Sequence, residues 1–275
     1  MGAISQDISS AGMSAAIEAN WIGVFEHWSH ASSVDVHDEG NDVRWYVTPG
    51  VPFPLFNHVY FTRFTQEENV HARIEELVGH FAEHQVPFMW SVGPFTQPPD
   101  LGERLESRGL SRADELPGMA VDLRALNEDC LFPSELAIER VGDAEVLREC
   151  IEVIRVGFEM PEFTSEASFE LFTAVGLTEE SPWRSYVGRL DGEVVASCVP
   201  VLSAGVAGIY DVATLPKARR RGLGAAMTLE ALREARELGY RIGVLQSSAM
   251  GFGVYRRLGF EQYSTYQIYV GTGQE

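Results

Sequence analysis

Long apolar runs are missing from this sequence. Nowhere do eighteen or more apolar residues follow one another, so no membrane span and no membrane partner are expected. The N-terminus lacks the basic-then-apolar pattern of a secretory leader. Cysteine is scarce: three residues, at 130, 150 and 198. That odd, scattered set fits free thiols in a reducing compartment and excludes a disulfide framework; a cytoplasmic protein is expected. Positive charge is scarce as well. Against 40 Asp and Glu stand 21 Lys and Arg, a formal net charge of −19, which would repel a phosphodiester backbone, so no nucleic-acid partner is expected. All seven histidines lie in the first half. His80 and His84 are spaced one helical turn apart, but no Glu follows His80 as in a His-Glu-x-x-His zinc site, and no metal is expected.

What is present suffices for two domains. The 275 residues are 45% apolar, enough to bury two cores. The few cations are unevenly spread. Residues 1–133 carry 20 acidic and 7 basic side chains, residues 134–275 carry 20 and 14, and Lys217, Arg219, Arg220 and Arg221 fall within five positions. A focused cationic spot on an acidic protein is either a solvated turn or a site for a small polyanion.

The pattern around that spot narrows the choice. Asp143 reads as the N-cap of a helix with Val146, Leu147, Ile151 and Ile154 on one face, and Glu162 to Val175 as a second helix. Three strands follow, Ser185–Leu190, Val194–Val201 and Gly208–Ala213, the first pair joined at Asp191-Gly192, a hairpin turn pair. Gly222 to Leu238 reads as a helix that stops at Gly239. Ile242–Leu245 is a short apolar strand, expected to run parallel to the third strand because a helix separates them. A short helix over Gly253–Leu258 and a strand over Gln262–Val270 complete the half. The run Arg219-x-x-Gly222-x-Gly224 therefore opens a helix. Helix N-termini offer unpaired N–H groups and the positive end of the dipole, glycines let a backbone come close, and arginines add charge-assisted bonds, so a pyrophosphate-bearing ligand is implied. The run is neither a Walker loop nor Gly-x-Gly-x-x-Gly.

Arg-x-x-Gly-x-Gly at this place, followed about thirty residues later by Tyr255-Arg256-Arg257-Leu258-Gly259-Phe260, resembles the GCN5-related N-acetyltransferase (GNAT) superfamily, over about 140 residues from Leu136 onward. The resemblance implies the GNAT acyl-CoA N-acyltransferase fold: α/β (α+β mixed), a mostly antiparallel sheet flanked by helices. It implies acetyl-CoA as co-substrate. Backbone amides of Arg220, Arg221, Gly222, Leu223, Gly224 and Ala225 would hold the pyrophosphate with the Arg219 side chain nearby. Val212, Ala213 and Thr214 would pair with the pantetheine arm where the third strand splays from the parallel one. A backbone N–H near Val212 or Ala213 would face the thioester oxygen. Tyr255 matches the family's general acid; its other reading is a core aromatic. For the general base, Asp211 lies on the right strand but could point either way, and Glu159, Glu162 and Tyr210 are alternatives.

The first half reads as a degenerate second copy of the fold: strands at Val43–Val47 and His58–Phe64, a capping box at Thr65-Gln66-Glu67-Glu68 opening a helix with Ile74, Leu77, Val78 and Phe81 on one face, then strand Phe88–Pro94, a helix from Leu101 to Gly109, and strand Met119–Leu123. Where the phosphate loop belongs stands Phe64-Thr65-Gln66-Glu67-Glu68-Asn69-Val70, with two glutamates and no glycine. Leu105 replaces Tyr255. Domains are thus expected at 1–133, degenerate, and 134–275, catalytic, with the first copy completing the acceptor pocket. The implied function is acetyl transfer to a primary amine of a small molecule. Two alternatives stay open: a non-catalytic acyl-CoA sensor or interaction module, and transfer to an amino-sugar or thiol-precursor conjugate as in mycothiol synthase-like tandem proteins. The edge strands and aromatics near the C-terminus suit either a homodimer contact or a core.

Overall fold

The computed structural model describes residues 3–66 and 69–273, so Glu67 and Glu68 of the expected capping box lie outside the described residues. Helix α1 (Ser10–Glu26) precedes strands β1 (Asp35–Asp38), β2 (Val43–Val47) and β3 (His58–Thr62). Then come α2 (Val70–Glu83), β4 (Phe88–Val92), α3 (Leu101–Ser107) and β5 (Ser111–Asp122). The order repeats from β6 (Ala137–Arg140) through α4 (Ala144–Gly157), α5 (Thr164–Val175), β7 (Tyr186–Leu190), β8 (Glu193–Ser203) and β9 (Val206–Thr214). It ends with α6 (Leu223–Glu237), β10 (Ile242–Gln246), α7 (Ala249–Leu258) and β11 (Glu261–Gly271). The fold is α/β, with mainly antiparallel strands flanked by helices, as the sequence implied. No helix among the described residues is long and apolar enough to cross a membrane.

These elements form two compact units, and the units do not coincide with the halves 1–133 and 134–275. One comprises Met1–Val24 and Pro117–Tyr263, the other Phe25–Leu116 and Ser264–Glu275. The difference has a physical cause in where strands find partners. In the first unit the end of β5 pairs antiparallel with β10 (Gly118 opposite Gln246). In the second, the end of β11 pairs antiparallel with β4 (Gly271 opposite Phe88). Each unit thus takes its final strand from the other half of the sequence. The unit holding Pro117–Tyr263 also takes most of α1, which the sequence reading left unassigned because apolar and small residues surround the helix without a clear stripe.

Within the unit containing Pro117–Tyr263 the strand order is β5-β10-β9-β8-β7-β6. β6 to β9 are antiparallel neighbours, and β9 and β10 are parallel, as expected. Leu223, Met227 and Leu232 of α6 pack with Tyr255 and Leu258 of α7, Ile209 of β9 and Leu245 of β10 into one core. α4 starts where its cap was expected, Asp143 accepting from the N–H groups of Glu145 and Val146, both at 2.9 Å. α7 starts four residues before the expected Gly253, because Ser248 caps it; Gly251 and Gly253, poor helix formers, hid this first turn. The other unit repeats the plan with order β1-β2-β3-β4-β11 and its own core, Trp45, Ile74, Leu77, Phe81, Trp90, Leu105 and Tyr269 among it.

Candidate active site

The site is built where β9 leaves its neighbour. β9 and β10 register only at Ala207 with Gly243 and Gly208 with Val244; beyond that β9 stays on β8 while β10 continues to Gln246 on β5. β9 carries a bulge there. Ser197 lies opposite Ala213 and Val199 opposite Tyr210, so β9 spends three residues where β8 spends two, and Asp211 adopts a left-handed φ of 48°. A bulge kinks a strand and frees one residue from the ladder. The Ser197 hydroxyl donates to the Asp211 carbonyl oxygen at 2.8 Å. The trans peptide is planar with C=O and N–H opposed, so with that oxygen held toward β8, the Val212 N–H points to the open edge of β9. Of the N–H groups of Val212 and Ala213, it is that of Val212 which this bond turns to the open edge.

Past the strand, Arg219 turns inward. Its Nε donates to the Thr214 carbonyl at 3.1 Å and an Nη to the Gly157 carbonyl at the end of α4 at 3.2 Å. It ties strand end, loop and helix end together instead of projecting at a ligand. Ala213 fits against α4 only because residue 157 is glycine. Arg220 (φ 63°) and Gly222 (φ 83°) are both left-handed, and alternating backbone of this kind turns successive N–H groups into a concave anion nest. Gly222 N-caps α6 without a side-chain cap, which leaves the N–H groups of Leu223, Gly224 and Ala225 free for a ligand. Gly222 has a second constraint, since a Cβ there would strike the Leu131 carbonyl. Several arginines elsewhere in this unit pair with carboxylates, Arg189 with Glu139 and Glu149, Arg241 with Asp122. Among the described residues no ion pair involves Arg219, Arg220 or Arg221. Lys217, the fourth cation, is spent on Glu193.

Two titratable groups lie near Cys198 of β8. Burial raises the Asp211 carboxyl to about 6. Tyr255 on α7 is buried, and burial followed by the neighbouring Cys198 thiol raises its phenol, which stays protonated at neutral pH. Cys198 lies on β8 between the two residues that bracket the bulge, and burial and the Asp211 charge raise its own thiol. Asp211, Cys198 and Tyr255 thus share one neighbourhood, whereas Glu159 and Glu162 sit exposed in the α4–α5 turn. Sequence reasoning missed Ser197, whose role depends on a bulge that no local pattern announces.

An anion nest beside a splayed, bulged strand is matched by similarity. Residues 126–244 match the Acetyltransferase (GNAT) domain family. Over that stretch the chain is similar to GNAT acetyltransferase domains. A GCN5-related N-acetyltransferase from Kribbella flavida is similar over 97% of this chain and 96% of its own, at 19% identity and TM-score 0.70. Another from Sphaerobacter thermophilus covers 97% and 94%, at 16% and 0.60. A tandem GNAT protein from the clavulanic acid biosynthesis pathway covers 89% and 85%, at 15% and 0.60. No protein of curated function matches.

The other unit repeats the splay and the bulge. Its β3 and β4 also register at two pairs, His58 with Met89 and Val59 with Trp90. A bulge again spends one extra residue, at Tyr60. Here, however, the open edge of β3 is occupied by the protein itself. The Gln97 N–H donates to the Thr62 carbonyl at 3.2 Å, and the Phe64 N–H donates to the Gln97 carbonyl at 3.0 Å. The Trp90 indole N–H donates to the Thr62 hydroxyl at 2.9 Å and fills the gap between the strands. A segment of this unit stands where an added strand would pair.

Proposed function

We propose that this chain is an acetyltransferase that uses acetyl-CoA to acetylate a primary amine of a small molecule by direct attack. The observation that carries the reading is the nest at Arg220–Ala225, with unpaired arginines on an otherwise acidic protein, opening onto the cleft that holds Asp211, Val212 and Tyr255. These residues fit the cofactor: the nest and the uncapped N–H groups suit a pyrophosphate, and the unpaired edge of β9 suits an amide-bearing arm. When bound, acetyl-CoA supplies the activated acetyl group. The Val212 N–H is held ready by Ser197 to donate to an oxygen on which negative charge grows. Asp211, with a carboxyl near 6, is ionised at neutral pH and basic enough to take a proton from an incoming ammonium. Tyr255 keeps its proton and can give it to a departing thiolate.

The test is thiol release from acetyl-CoA against a panel of primary amines, with a Gly224→Glu variant. Gly224 is preferred to Gly222 because a Cβ there meets nothing closer than Val212 at 3.7 Å, so the variant disturbs the phosphate site and not the fold. Amine-dependent release that Gly224→Glu abolishes supports the reading. Binding of acetyl-CoA without turnover of any amine would favour a sensor, and no binding would refute the reading.

A further inference from the structure

Helix α1, 190 residues away in sequence, finishes the inner wall of this cleft. Asn20 is fully buried. Its Nδ2 donates to the Val201 and Ser203 carbonyls, both at 3.1 Å, and its Oδ1 accepts from the Tyr210 hydroxyl at 2.7 Å. A side-chain amide has two N–H donors and one oxygen. With both donors spent on β8, the oxygen must face Tyr210, and the only phenolic proton must point at Asn20. The Tyr210 oxygen is left with lone pairs alone. This arrangement needs Gly208, since a Cβ there would overlap both the Asn20 amide and the Tyr210 ring.

The register adds a third group. Gly208 lies opposite Val244 where β9 and β10 part. Tyr210 and Gln246 are each two residues further on, and side chains two apart share a face. They therefore flank the opening of the cleft on the face against which α1 packs, beside Asp211. The Gln246 Oε1 and Nε2 are both buried with no partner, and an unpaired buried amide is costly unless a ligand completes it.

We propose that Tyr210, Gln246 and Asn20 form the acceptor subsite: the Tyr210 oxygen accepts an N–H of the substrate ammonium, the Gln246 carboxamide bonds a second polar group on the same molecule, and Asn20 is the positioning residue that keeps Tyr210 an acceptor. The ligand class is a small primary amine with a hydroxyl or amide near the nitrogen. This deepens the acetyltransferase reading and rests on it.

The experiment is steady-state kinetics with acetyl-CoA on a plain alkylamine and on its hydroxyl- or amide-bearing counterpart, for the wild type, Tyr210→Phe, Asn20→Ala, their double variant and Gln246→Met. Tyr210→Phe and Asn20→Ala should each raise the amine KM by roughly tenfold, the loss of about one hydrogen bond, with the acetyl-CoA Kd unmoved. The double variant should be no worse than either single one, because Asn20 acts through Tyr210. Gln246→Met should raise KM several-fold more for the polar-substituted amine than for the plain one. Multiplying effects in the double variant would reduce Asn20 to a packing role, and equal effects of Gln246→Met on both amines would remove Gln246; either overturns the subsite while the transferase stands. Should Asn20→Ala not fold, Asn20→Ser enters the same cycle. A wild type that binds acetyl-CoA and turns over no amine overturns the transferase reading and this subsite together.

Discussion

The Ser197 hydroxyl, on β8, donates to the Asp211 carbonyl across the bulge of β9 at 2.8 Å. Through that bond a side chain with no reach into the cleft sets the direction of the Val212 N–H. Ser197→Ala is expected to release the peptide and lower kcat by roughly tenfold to a hundredfold, less than the roughly hundredfold to thousandfold for outright loss of one oriented donor, because the N–H itself remains. Calorimetry should show acetyl-CoA affinity nearly unchanged.

Asp211 joins activity to pH. Burial raises its carboxyl to about 6, so kcat/KM should climb as pH rises through about 6 and then level, a limb that Asp211→Asn removes along with roughly a hundredfold or more of the rate. The same shift acts on stability with the opposite benefit. Its folded value lies above the unfolded value of about 3.9, so the folded state holds an extra proton between the two, and stability falls as pH rises through that window. At neutral pH, Asp211→Asn should therefore stabilise the protein by about 2–3 kcal/mol, read by chemical denaturation. A less active and less stable Asp211→Asn protein would count against the carboxylate as base.

Tyr255 gives a separate readout. Tyr255→Phe keeps the ring that packs 5.8 Å from Phe260, centroid to centroid, and removes only the proton donor. A fall in kcat of about tenfold to a thousandfold at unchanged acetyl-CoA Kd is expected for loss of a general acid. Unchanged kcat would return Tyr255 to the core.

The degenerate unit should be the acid-sensitive one. His58 is wholly buried on β3, bonded through Nε2 to the Ser91 hydroxyl at 2.7 Å, and burial lowers it to about 3. Unfolded histidine titrates near 6.5, so stability is fully present above about 6.5 and is lost toward about 3, at about 1.4 kcal/mol per pH unit. Denaturation midpoints measured down through this range should show that slope, and His58→Gln should flatten it.

The site was legible in the sequence where chemistry is local. Arg219-x-x-Gly222-x-Gly224 marks a helix start because glycine's backbone freedom is a local property, and the alternation in β7 to β9 marks antiparallel strands. Orientation was not legible. Arg219 reads as a phosphate ligand and instead holds the Thr214 and Gly157 carbonyls, since a side chain's direction depends on where the chain folds back. Asn20 was invisible for the same reason: its partners lie far off in sequence, on strands that its own helix gives no sign of meeting.

The exchange of final strands bears on how the protein is made. The unit around Phe25–Leu116 pairs its β4 with the end of β11, so this earlier part of the chain must wait, once translated, for Glu261–Gly271 to emerge before its sheet is complete. Cutting the gene at the midpoint would strand two fragments, each carrying the other's closing strand, and they should regain structure only when expressed together.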